Sequence, residues 1–341
     1  MLILWNMSSY DSMLFISHRG NLDHKDAYAE NTEESTDNAI ARGFDVEIDV
    51  WFKDGGLWMG HDKPENKTSL EFLKARANRL WIHAKSYDTY KHLCYRGFRI
   101  FAHENEPYAL VGIDTIWNHS SNLEFGANTV CVMPEISGVS LKQIEGCIAV
   151  CSDKISIYRE AFKIISIRDI KVLILDVDGV LTNGRKIYGQ SGTSCYKEFN
   201  DKDFTAIKKF QSLGIEVIWL SGDAGINAQI ADSRNIPFVY GKNSENKLDK
   251  KWHLQKICKE KGVSPKEVCY VGDDSFDLDI LTEVGVPMCP IDSVREVKDK
   301  CYILKSCGGD AVVSEIFDIW QCSTGKRVDD VALREIDSLQ K

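Results

Sequence analysis

The sequence predicts an α/β protein of two domains, a small (β/α) barrel followed by a doubly wound parallel sheet. Its 341 residues exceed what one compact domain usually needs and suffice for two hydrophobic cores. In both halves short apolar segments alternate with amphipathic ones, the pattern of strands separated by helices. Polar residues directly follow many of the apolar segments, so we expect a site at the carboxyl ends of strands in each half.

The composition favours a small substrate. The net charge is −9, the pI is near 5.5 and no basic block offsets the acidic excess, which argues against a nucleic-acid partner. No apolar run approaches the roughly 20 residues of a membrane span, and the opening MLILWNMSSYDSM has no basic region of a secretion signal. The eleven cysteines are scattered without a Cys-x-x-Cys pair. We therefore expect a cytoplasmic protein with reduced thiols and no stable membrane association.

The first half, residues 1–160, predicts the barrel. Helices are expected over 31–42, 69–78 and 87–95. Strands are expected in LFISHRG, FDVEIDVWF, GLWMGHD, RLWIHAK, FRIFAHE, DTIWNH, TVCVMPE and CIAVCS. Eight strands in this length predict a trimmed barrel of the TIM type, well below the roughly 250 residues usual for that fold.

Polar residues gather at the ends of these barrel strands. They are His18, Glu47, Asp49, His61 and His83. Two histidines at strand ends can act as general acid and base, because an imidazole titrates near neutral pH. Glu47 and Asp49 are two residues apart on one strand, point the same way, and can share a divalent cation.

The second half, residues 168–341, predicts the doubly wound sheet, with a boundary between 155 and 168. Helices are expected over 203–213, 226–234, 247–261 and 278–284. Strands are expected in KVLILDVDG, GIEVIWLSGD, FVYG, EVCYVGDD and PMCP. Near-continuous apolar strands alternating with helices predict a parallel, Rossmann-like sheet covered on both faces.

Each main strand of this half ends in a distinctive polar group. They are Asp176-x-Asp178-Gly, Ser221-Gly222-Asp223 and Gly272-Asp273-Asp274, with Lys247 opening a helix between the last two. Buried carboxylates need a cation, a proton or a reaction to justify their cost. These groups predict a magnesium-dependent phosphotransfer site. It would use one carboxylate as the nucleophile, a second as an acid and a third to hold magnesium. The serine and the lysine would bind the phosphoryl oxygens.

This ordered set resembles the haloacid dehalogenase superfamily over about 168–320. DVDGVLT, LSGD, the lysine of ENKLDKK and GDDSFD match its four motifs. The resemblance implies that Asp176 is the nucleophile, Asp178 the general acid and base, and Lys247 the motif-three lysine. It also implies that Ser221 and Gly222 contact the phosphoryl group. Mg²⁺ is expected on Asp176, the main-chain carbonyl of Asp178 and Asp273, supported by Asp274 and Asp277.

The segment after the first motif, residues 183–204, is long enough only for a β-hairpin, so no cap domain is expected. Capless relatives with such a hairpin look like the phosphatases of 3-deoxy-octulosonate 8-phosphate and 2-keto-3-deoxynononate 9-phosphate. The resemblance implies a homotetramer and a small phosphorylated sugar or sugar acid as substrate. Asp223 after Ser-Gly is nearer the nononate type, and Cys307 stands where relatives tend to have an arginine.

The first half resembles glycerophosphodiester phosphodiesterases over roughly 14–110. The matching residues are HRG at 18–20, EN at 30–31, EID at 47–49 and HD at 61–62. The resemblance implies that His18 and His61 are the acid and base pair and that Arg19 and Lys85 lie near phosphate. It also implies Mg²⁺ or Ca²⁺ on Glu47 and Asp49. His83-Ala84-Lys85 stands in place of the family's E-x-K, which makes His83 the expected third ligand.

Three hypotheses remain open at this stage. The first is a two-domain enzyme that hydrolyses a phosphomonoester in its second half and a phosphodiester in its first. The second is a phosphatase whose barrel is a non-catalytic binding or assembly module. The third treats the second half as a regulatory tetramerisation unit without chemistry.

Overall fold

The computed structural model describes residues 13–190, 194–242 and 245–328. They form two compact units. One takes in 13–163 together with 322–326, and the other takes in 164–321 with 327–328. No helix in these ranges is both long and apolar enough to cross a membrane.

The first unit is built around one sheet. Its strands are β1 Leu14–His18, β2 Asp45–Lys53, β3 Gly56–Met59, β4 Asn66–Thr68, β5 Leu80–Ala84, β6 Arg99–Phe101, β7 Tyr108–Val111, β8 Thr115–Asn118, β9 Thr129–Val132 and β10 Ala149–Ser152. Its helices are α1 Glu33–Ala41, α2 Leu70–Ala75, α3 Tyr87–Leu93, α4 Pro134–Ser137, α5 Leu141–Ile144 and α6 Ile155–Lys163.

Parallel ladders join the strands of this sheet in the order β6-β5-β2-β1-β10-β9-β8. Strand β7 then pairs with β8 in the antiparallel direction. Among the described residues no ladder joins β7 to β6. The closed barrel of the TIM type that the sequence predicts is therefore not evident from this topology.

The segment GLWMGHD does not form a barrel strand of its own. It forms β3, which folds back on the end of β2 in the antiparallel direction, with Val50 opposite Met59 and Lys53 opposite Gly56. The reason is the turn between them, where Asp54 and Gly55 have φ values of 52° and 73°. Two successive positive φ angles are the two-residue hairpin turn that Asp-Gly favours.

The apolar core of the first unit lies directly below its polar strand ends. Ile16, Trp81, Phe101 and Trp117 belong to one buried cluster that draws on β1 and on β5 to β10. Side chains two residues apart on a strand share a face. The residues two positions further along these strands therefore lie above the core on the same side.

The second unit is a parallel sheet with a separate hairpin. Its strands are β11 Val172–Leu175, β12 Ile187–Tyr188, β13 Ser194–Tyr196, β14 Glu216–Ser221, β15 Phe238–Tyr240, β16 Val268–Val271, β17 Val286–Cys289 and β18 Tyr302–Ile303. The helices in this part of the chain are α7 Asp201–Ser212, α8 Gly225–Ser233, α9 Lys250–Lys261, α10 Leu278–Leu281, α11 Arg295–Lys298 and α12 Val312–Thr324. Short 3₁₀ turns span Ile165–Asp169, Pro265–Glu267 and Ser275–Asp277.

The strand order β15-β14-β11-β16-β17-β18, parallel throughout, confirms the predicted parallel sheet. Both faces of the sheet are covered. Ile174 and Tyr270 pack with Leu254 of α9 and Ile280 of α10 on one face, and the ring of Trp219 lies 6.2 Å from that of Phe204 of α7 on the other. Burial on both sides explains why these strands are apolar along their whole length.

The predicted hairpin after the first motif forms from β12 and β13, which pair in the antiparallel direction. The stretch between β11 and α7 contains no other regular element in its described part, residues 176–190 and 194–200. Ile187, Tyr188 and Tyr196 of the hairpin are each more than 60% exposed. The hairpin therefore presents an apolar surface.

Candidate functional site

In the second unit, the central strand β11 lies between β14 and β16 in the sheet. Asp176 and Asp178 follow β11, Ser221 ends β14 and Asp273 follows β16. Because the strands are parallel, these residues meet at one edge. They line a cleft of about 360 Å³ together with Gly222 and Lys250.

Three carboxylates converge in this cleft. Oxygen atoms of Asp176, Asp273 and Asp277 lie within 4.8 Å of one another. Burial, followed by the effect of neighbouring carboxylates, raises the pKa of Asp273 to about 8. Burial and Asp277 raise the pKa of Asp176 to about 7, although Lys250 opposes the shift. Oδ1 of Asp273 is also buried and has no hydrogen bond among the described residues. Carboxylates that lie this close repel one another when ionised, and a hard divalent cation would neutralise that repulsion.

These pKa shifts predict how stability depends on pH without metal. Both folded pKa values exceed the ordinary 3.8, so the folded protein binds more protons than the unfolded chain between about pH 4 and pH 8. The stabilisation of the folded protein by the two carboxyl groups is complete below pH 4 and is lost as the pH rises to 8.

Mg²⁺ binds the ionised carboxylates and competes with protons for them, so it should raise the midpoint of urea unfolding more at pH 8 than at pH 5. Asp273→Asn should remove that difference, and an equal Mg²⁺ effect at both pH values in the wild type would contradict the carboxylate cluster.

The lysine that contacts this carboxylate cluster is Lys250 and not Lys247. Nζ of Lys250 lies 2.8 Å from Oδ2 of Asp176 and 2.6 Å from Oδ1 of Asp277, and it donates to the Tyr270 hydroxyl at 3.0 Å. Burial alone would lower the pKa of Lys250, but Asp176 and Asp277 raise it overall. The Lys247 side chain is 75% exposed and pairs with Glu245.

The physical reason for this correction is where the helix begins. Helix α9 begins at Lys250, because the Asp249 side chain accepts a hydrogen bond from the Trp252 backbone and caps it. Lys250 is therefore the first residue of α9, and Lys247 lies in the loop before it. The sequence prediction began the helix three residues too early.

The carboxylate of Asp178 lies outside the group formed by Asp176, Asp273 and Asp277. Its Oδ1 is 2.7 Å from Nζ of Lys197, a lysine whose side chain is fully buried. Asn227 donates to its Oδ2 at 3.2 Å. The sequence does not point to either partner, because neither belongs to a recognisable motif. Lys197 follows the hairpin and Asn227 lies on α8. They hold the Asp178 side chain beside the cleft.

A second charge network surrounds Asp223. Lys186 and Lys197 both donate to its Oδ2, at 3.0 and 3.1 Å. Burial alone would raise the pKa of Asp223, but these two lysines lower it overall. Asn227 also donates to the hydroxyl of Ser221, at 3.1 Å. The network connects the hairpin to the end of β14.

Gly179 is required by the close approach of two loops. Its φ is 92°, and a Cβ atom at this position would overlap the carboxylate of Asp273. The glycine of the Asp-x-Asp-Gly sequence therefore allows the loop after β11 to contact the loop after β16.

In the first unit, the sheet register brings together the residues predicted for metal. Asp49 of β2 lies opposite His83 of β5, and His18 of β1 opposite Glu47. Ligand atoms of Glu47, Asp49 and His83 all lie within 4.8 Å of one another, and all three residues are buried. A mixed carboxylate and imidazole set of this kind fits a divalent cation.

Asp49 is fully buried and is the centre of the local charge. Arg19 Nε and His83 Nδ1 each lie 2.9 Å from it, Lys85 Nζ lies 3.4 Å away, and Asn31 donates to it at 3.0 Å. Burial alone would raise the pKa of Asp49, but His83, Arg19 and Lys85 lower it overall. Arg19 and Lys85, expected near phosphate, thus contact this carboxylate.

His18 is oriented by a residue that the sequence did not point to. Its Nδ1 lies 2.7 Å from Oδ1 of Asp153, just beyond β10, and its Nε2 lies 3.8 Å from Glu47. Burial alone would lower the pKa of His18, but Asp153 and Glu47 raise it. Burial, followed by the charge of Arg19, lowers the pKa of His61, and among the described residues its hydrogen-bond partner is the adjacent Asp62, at 2.7 Å.

Two further histidines extend the same polar region. The ring of His103 stacks on that of His83 with centroids 4.4 Å apart, and the ring of His119 lies 4.4 Å from that of His103. Burial, followed by His83, lowers the pKa of His103 to about 4. Burial, followed by His103, lowers the pKa of His119 to about 4. Both rings are therefore neutral at neutral pH.

Known proteins with a similar sequence match about half of this chain. No protein-family model matches it. Over 163 residues it is 33% identical to the 3-deoxy-D-manno-octulosonate 8-phosphate phosphatase KdsC of Haemophilus influenzae, a match that covers 47% of this chain and 87% of the relative. KdsC of Escherichia coli K12 is 29% identical over 163 residues, covering 46% of this chain and 82% of the relative.

Solved structures give the same kind of match. The cobalt-bound deoxy-D-mannose-octulosonate 8-phosphate phosphatase of Haemophilus influenzae has 31% identity and a TM-score of 0.44, covering 47% of this chain and 92% of that one. The enzyme of Moraxella catarrhalis in complex with magnesium, phosphate and KDO has 24% identity and a TM-score of 0.42 and covers 54% and 95%.

The decisive comparison is the sequence match to the Haemophilus influenzae phosphatase, because it exceeds 30% identity over most of that relative's length. The chain therefore belongs, over about half of its own length, to the KdsC family of 3-deoxy-D-manno-octulosonate 8-phosphate phosphatases, which are hydrolases of the haloacid dehalogenase type.

Proposed function

We propose that the second unit is a magnesium-dependent phosphatase that hydrolyses a phosphorylated sugar or 2-keto-3-deoxy sugar acid through an aspartyl-phosphate on Asp176. The observation that carries this proposal is the position of Asp176, which is held by Lys250 on one side and lies beside Asp273 and Asp277 on the other. Family membership supports the reaction class.

Asp176 is the nucleophile in this proposal. One oxygen of its carboxylate attacks phosphorus, and the bond from phosphorus to the sugar oxygen breaks. Asp178 gives a proton to the leaving oxygen, so that the sugar departs as an alcohol. Water then attacks the phosphoryl group and gives its proton to Asp178, which returns Asp176 as a carboxylate and releases phosphate.

The surrounding residues bind and orient the phosphoryl group. Lys250, Ser221 and the backbone of Gly222 line the cleft and can donate to phosphoryl oxygens. Asp176, Asp273 and the main chain of Asp178 would hold Mg²⁺, which neutralises charge on the phosphoryl oxygens when bound. Lys197 and Asn227 orient the carboxylate of Asp178 for proton transfer.

The capless architecture and the activity of the KdsC relatives support the proposed substrate class. With the β12–β13 hairpin beside the cleft, we propose that its exposed Ile187, Tyr188 and Tyr196 contact a neighbouring subunit of a homotetramer. Lys186, 3.0 Å from Asp223, is the cation on the hairpin side of the cleft. The tetramer and the cytoplasmic location stay predictions from the sequence.

A screen of phosphorylated sugars and sugar acids with Mg²⁺ tests this proposal. We expect phosphate release from at least one member of the panel and a loss of about 10³-fold or more in Asp176→Asn, because the variant has no nucleophilic carboxylate. Asp169→Asn, an exposed aspartate of the same unit, is the matched control and should retain full activity. Wild-type turnover in Asp176→Asn would contradict the proposal, as would magnesium-independent activity.

For the first unit we propose a second function, metal-dependent hydrolysis of a phosphodiester. The specific observation that favours it is the convergence of Glu47, Asp49 and His83, next to a His18 held by Asp153. Asp153 fixes the ring so that Nε2 of His18 can accept a proton from the attacking group, and His61 is the partner acid by resemblance to the glycerophosphodiester phosphodiesterases. The rival proposal is a non-catalytic binding or assembly module.

Hydrolysis of bis-p-nitrophenyl phosphate separates these two readings. We expect activity in the Asp176→Asn protein, whose phosphatase is disabled, and a loss of about 10²-fold or more on adding His18→Ala. His24→Ala, an exposed histidine nearby in sequence, is the control that should keep the activity. Equal activity with and without His18, or none in either protein, favours the binding module.

A further inference from the structure

The hydroxyl of Tyr270 lies beside the carboxylate cluster of the second unit, although it has no role in the mechanism proposed above. Tyr270 is on β16, opposite Ile174 of β11, and its side chain belongs to the buried core cluster between the sheet and helices α9 and α10. The side chain is fully buried. A buried tyrosine hydroxyl usually has a hydrogen-bond partner, and the partners of this one are residues of the site.

The direction of the hydroxyl's hydrogen bonds follows from its neighbours. Nζ of Lys250 lies 3.0 Å from the hydroxyl oxygen, and an ammonium group can only donate. The hydroxyl proton is therefore available for Oδ1 of Asp277, 2.5 Å away, which is the length of a hydrogen bond to a charged carboxylate. Burial, followed by the charge of Asp277, raises the pKa of Tyr270 well above its ordinary value, so the hydroxyl keeps this proton.

The same contacts account for all three N–H bonds of the Lys250 ammonium group. Its Nζ lies 2.6 Å from Oδ1 of Asp277 and 3.0 Å from the hydroxyl of Tyr270. The third neighbour is Oδ2 of Asp176, at 2.8 Å. Because two of the N–H bonds are held by Asp277 and Tyr270, the direction of the third is fixed. It faces Asp176, where the phosphoryl group would bind.

The Asp277 carboxylate is itself held in place from its other side. Its Oδ2 accepts hydrogen bonds from the backbone N–H groups of Asp273 and Asp274, at 3.1 and 3.2 Å. Its Oδ1 accepts from Lys250 and Tyr270. The carboxylate and the buried tyrosine therefore form a rigid support for the ammonium group.

We propose that Tyr270 is a positioning residue of the phosphatase site, and that its hydroxyl, together with Asp277, holds the Lys250 ammonium group so that one N–H bond points at the phosphoryl oxygens. Donors that are already oriented stabilise the charge of a transition state without a cost of reorganisation. The hydroxyl acts through Lys250 and not by contact with the substrate. This inference rests on the phosphatase activity proposed above.

Tyr270→Phe removes the hydroxyl and keeps the buried ring. We expect kcat for phosphate release to fall by about tenfold and KM to change by about twofold or less, because the lost interaction acts on the transition state. Tyr158→Phe, at a fully buried tyrosine of the first unit, is the matched control and should keep the wild-type kcat. An unchanged kcat in Tyr270→Phe would overturn the proposal. A loss that added Mg²⁺ restores would also overturn it, since that result would assign the hydroxyl to the metal site.

A double-mutant cycle separates positioning from packing. If the hydroxyl acts through Lys250, Tyr270→Phe has no further effect on kcat in a Lys250→Met protein, which has lost the ammonium group. If the loss of about tenfold persists in that protein, Tyr270 acts by another route and the proposal is overturned.

The same four proteins distinguish this inference from the phosphatase function. Their midpoints of urea unfolding measure the coupling between the hydroxyl and the ammonium group without any substrate. Coupled midpoints in a protein whose wild-type form releases no phosphate from the panel support the positioning of Lys250 by Tyr270 and contradict the proposed function. Phosphate release by the wild type, with additive effects of the two changes on kcat and on the midpoint, supports the function and contradicts this inference.

Discussion

Lys250→Met is expected to lower kcat for phosphate release by about 10²–10³-fold, whereas Lys247→Met leaves it unchanged. Lys250 is the buried cation between Asp176 and Asp277, so its loss removes both a donor to the phosphoryl group and the charge that favours ionised Asp176. Lys247 is exposed, and its pair with Glu245 contributes little. Methionine keeps most of the apolar volume of the lysine side chain in both variants.

The same pair of variants should differ in stability. Removing one partner of a buried ion pair costs about 3 kcal/mol, because the remaining carboxylates are left uncompensated, whereas an exposed pair is worth well under 1 kcal/mol. Urea denaturation without metal measures the difference. Equal loss of activity in both variants would contradict the assignment of Lys250 alone, and a loss confined to Lys247→Met would favour Lys247 as the lysine of the site.

Gly179→Ala is expected to disable the magnesium site with a large loss of activity. The new methyl group would overlap the Asp273 carboxylate and force the loops after β11 and β16 apart. The positive φ of 92° adds strain of about 1 kcal/mol, and the overlap adds about 1–3 kcal/mol. We expect a loss of phosphatase activity that raising the Mg²⁺ concentration recovers only in part.

Gly214→Ala is the matched control for this prediction. Gly214 has a φ of 82° in the same unit, but a Cβ atom there would have no neighbour within 4 Å. It should share the backbone strain and keep the wild-type dependence of phosphate release on Mg²⁺ concentration. If both variants lose Mg²⁺ dependence alike, backbone strain and not the displacement of Asp273 explains the effect.

The sequence predicted the second sheet well because its signals are local. An apolar run followed by Asp-x-Asp-Gly marks both a buried strand and its chemistry, and the parallel order follows from alternating strands and helices. The error at Lys247 concerns a helix boundary. Among three lysines within five residues, the one at the carboxylates is decided by the capping hydrogen bond of Asp249, which the pattern alone did not reveal.

Other parts of the sites depend on contacts between distant residues. Asp153 contacts His18, although 135 residues separate them along the chain, and Lys197 contacts Asp178 from the end of a hairpin. Neither Asp153 nor Lys197 is part of a sequence motif that would predict the contact. In the first unit, the Asp-Gly turn at 54–55 is a local signal for the β2–β3 hairpin, and this hairpin explains why GLWMGHD does not add a separate barrel strand.

The central claim, that Asp176 becomes phosphorylated during turnover, is tested most directly by acid quenching during steady-state hydrolysis of a substrate found in the panel. Mass spectrometry of the digested protein then locates any covalent phosphoryl group. The account predicts a phosphoryl group on the peptide that contains Asp176, dependent on Mg²⁺ and absent from Asp176→Asn. Turnover with a phosphoryl group on another residue, or phosphate release with no phosphorylated peptide trapped at any quench time, would contradict it.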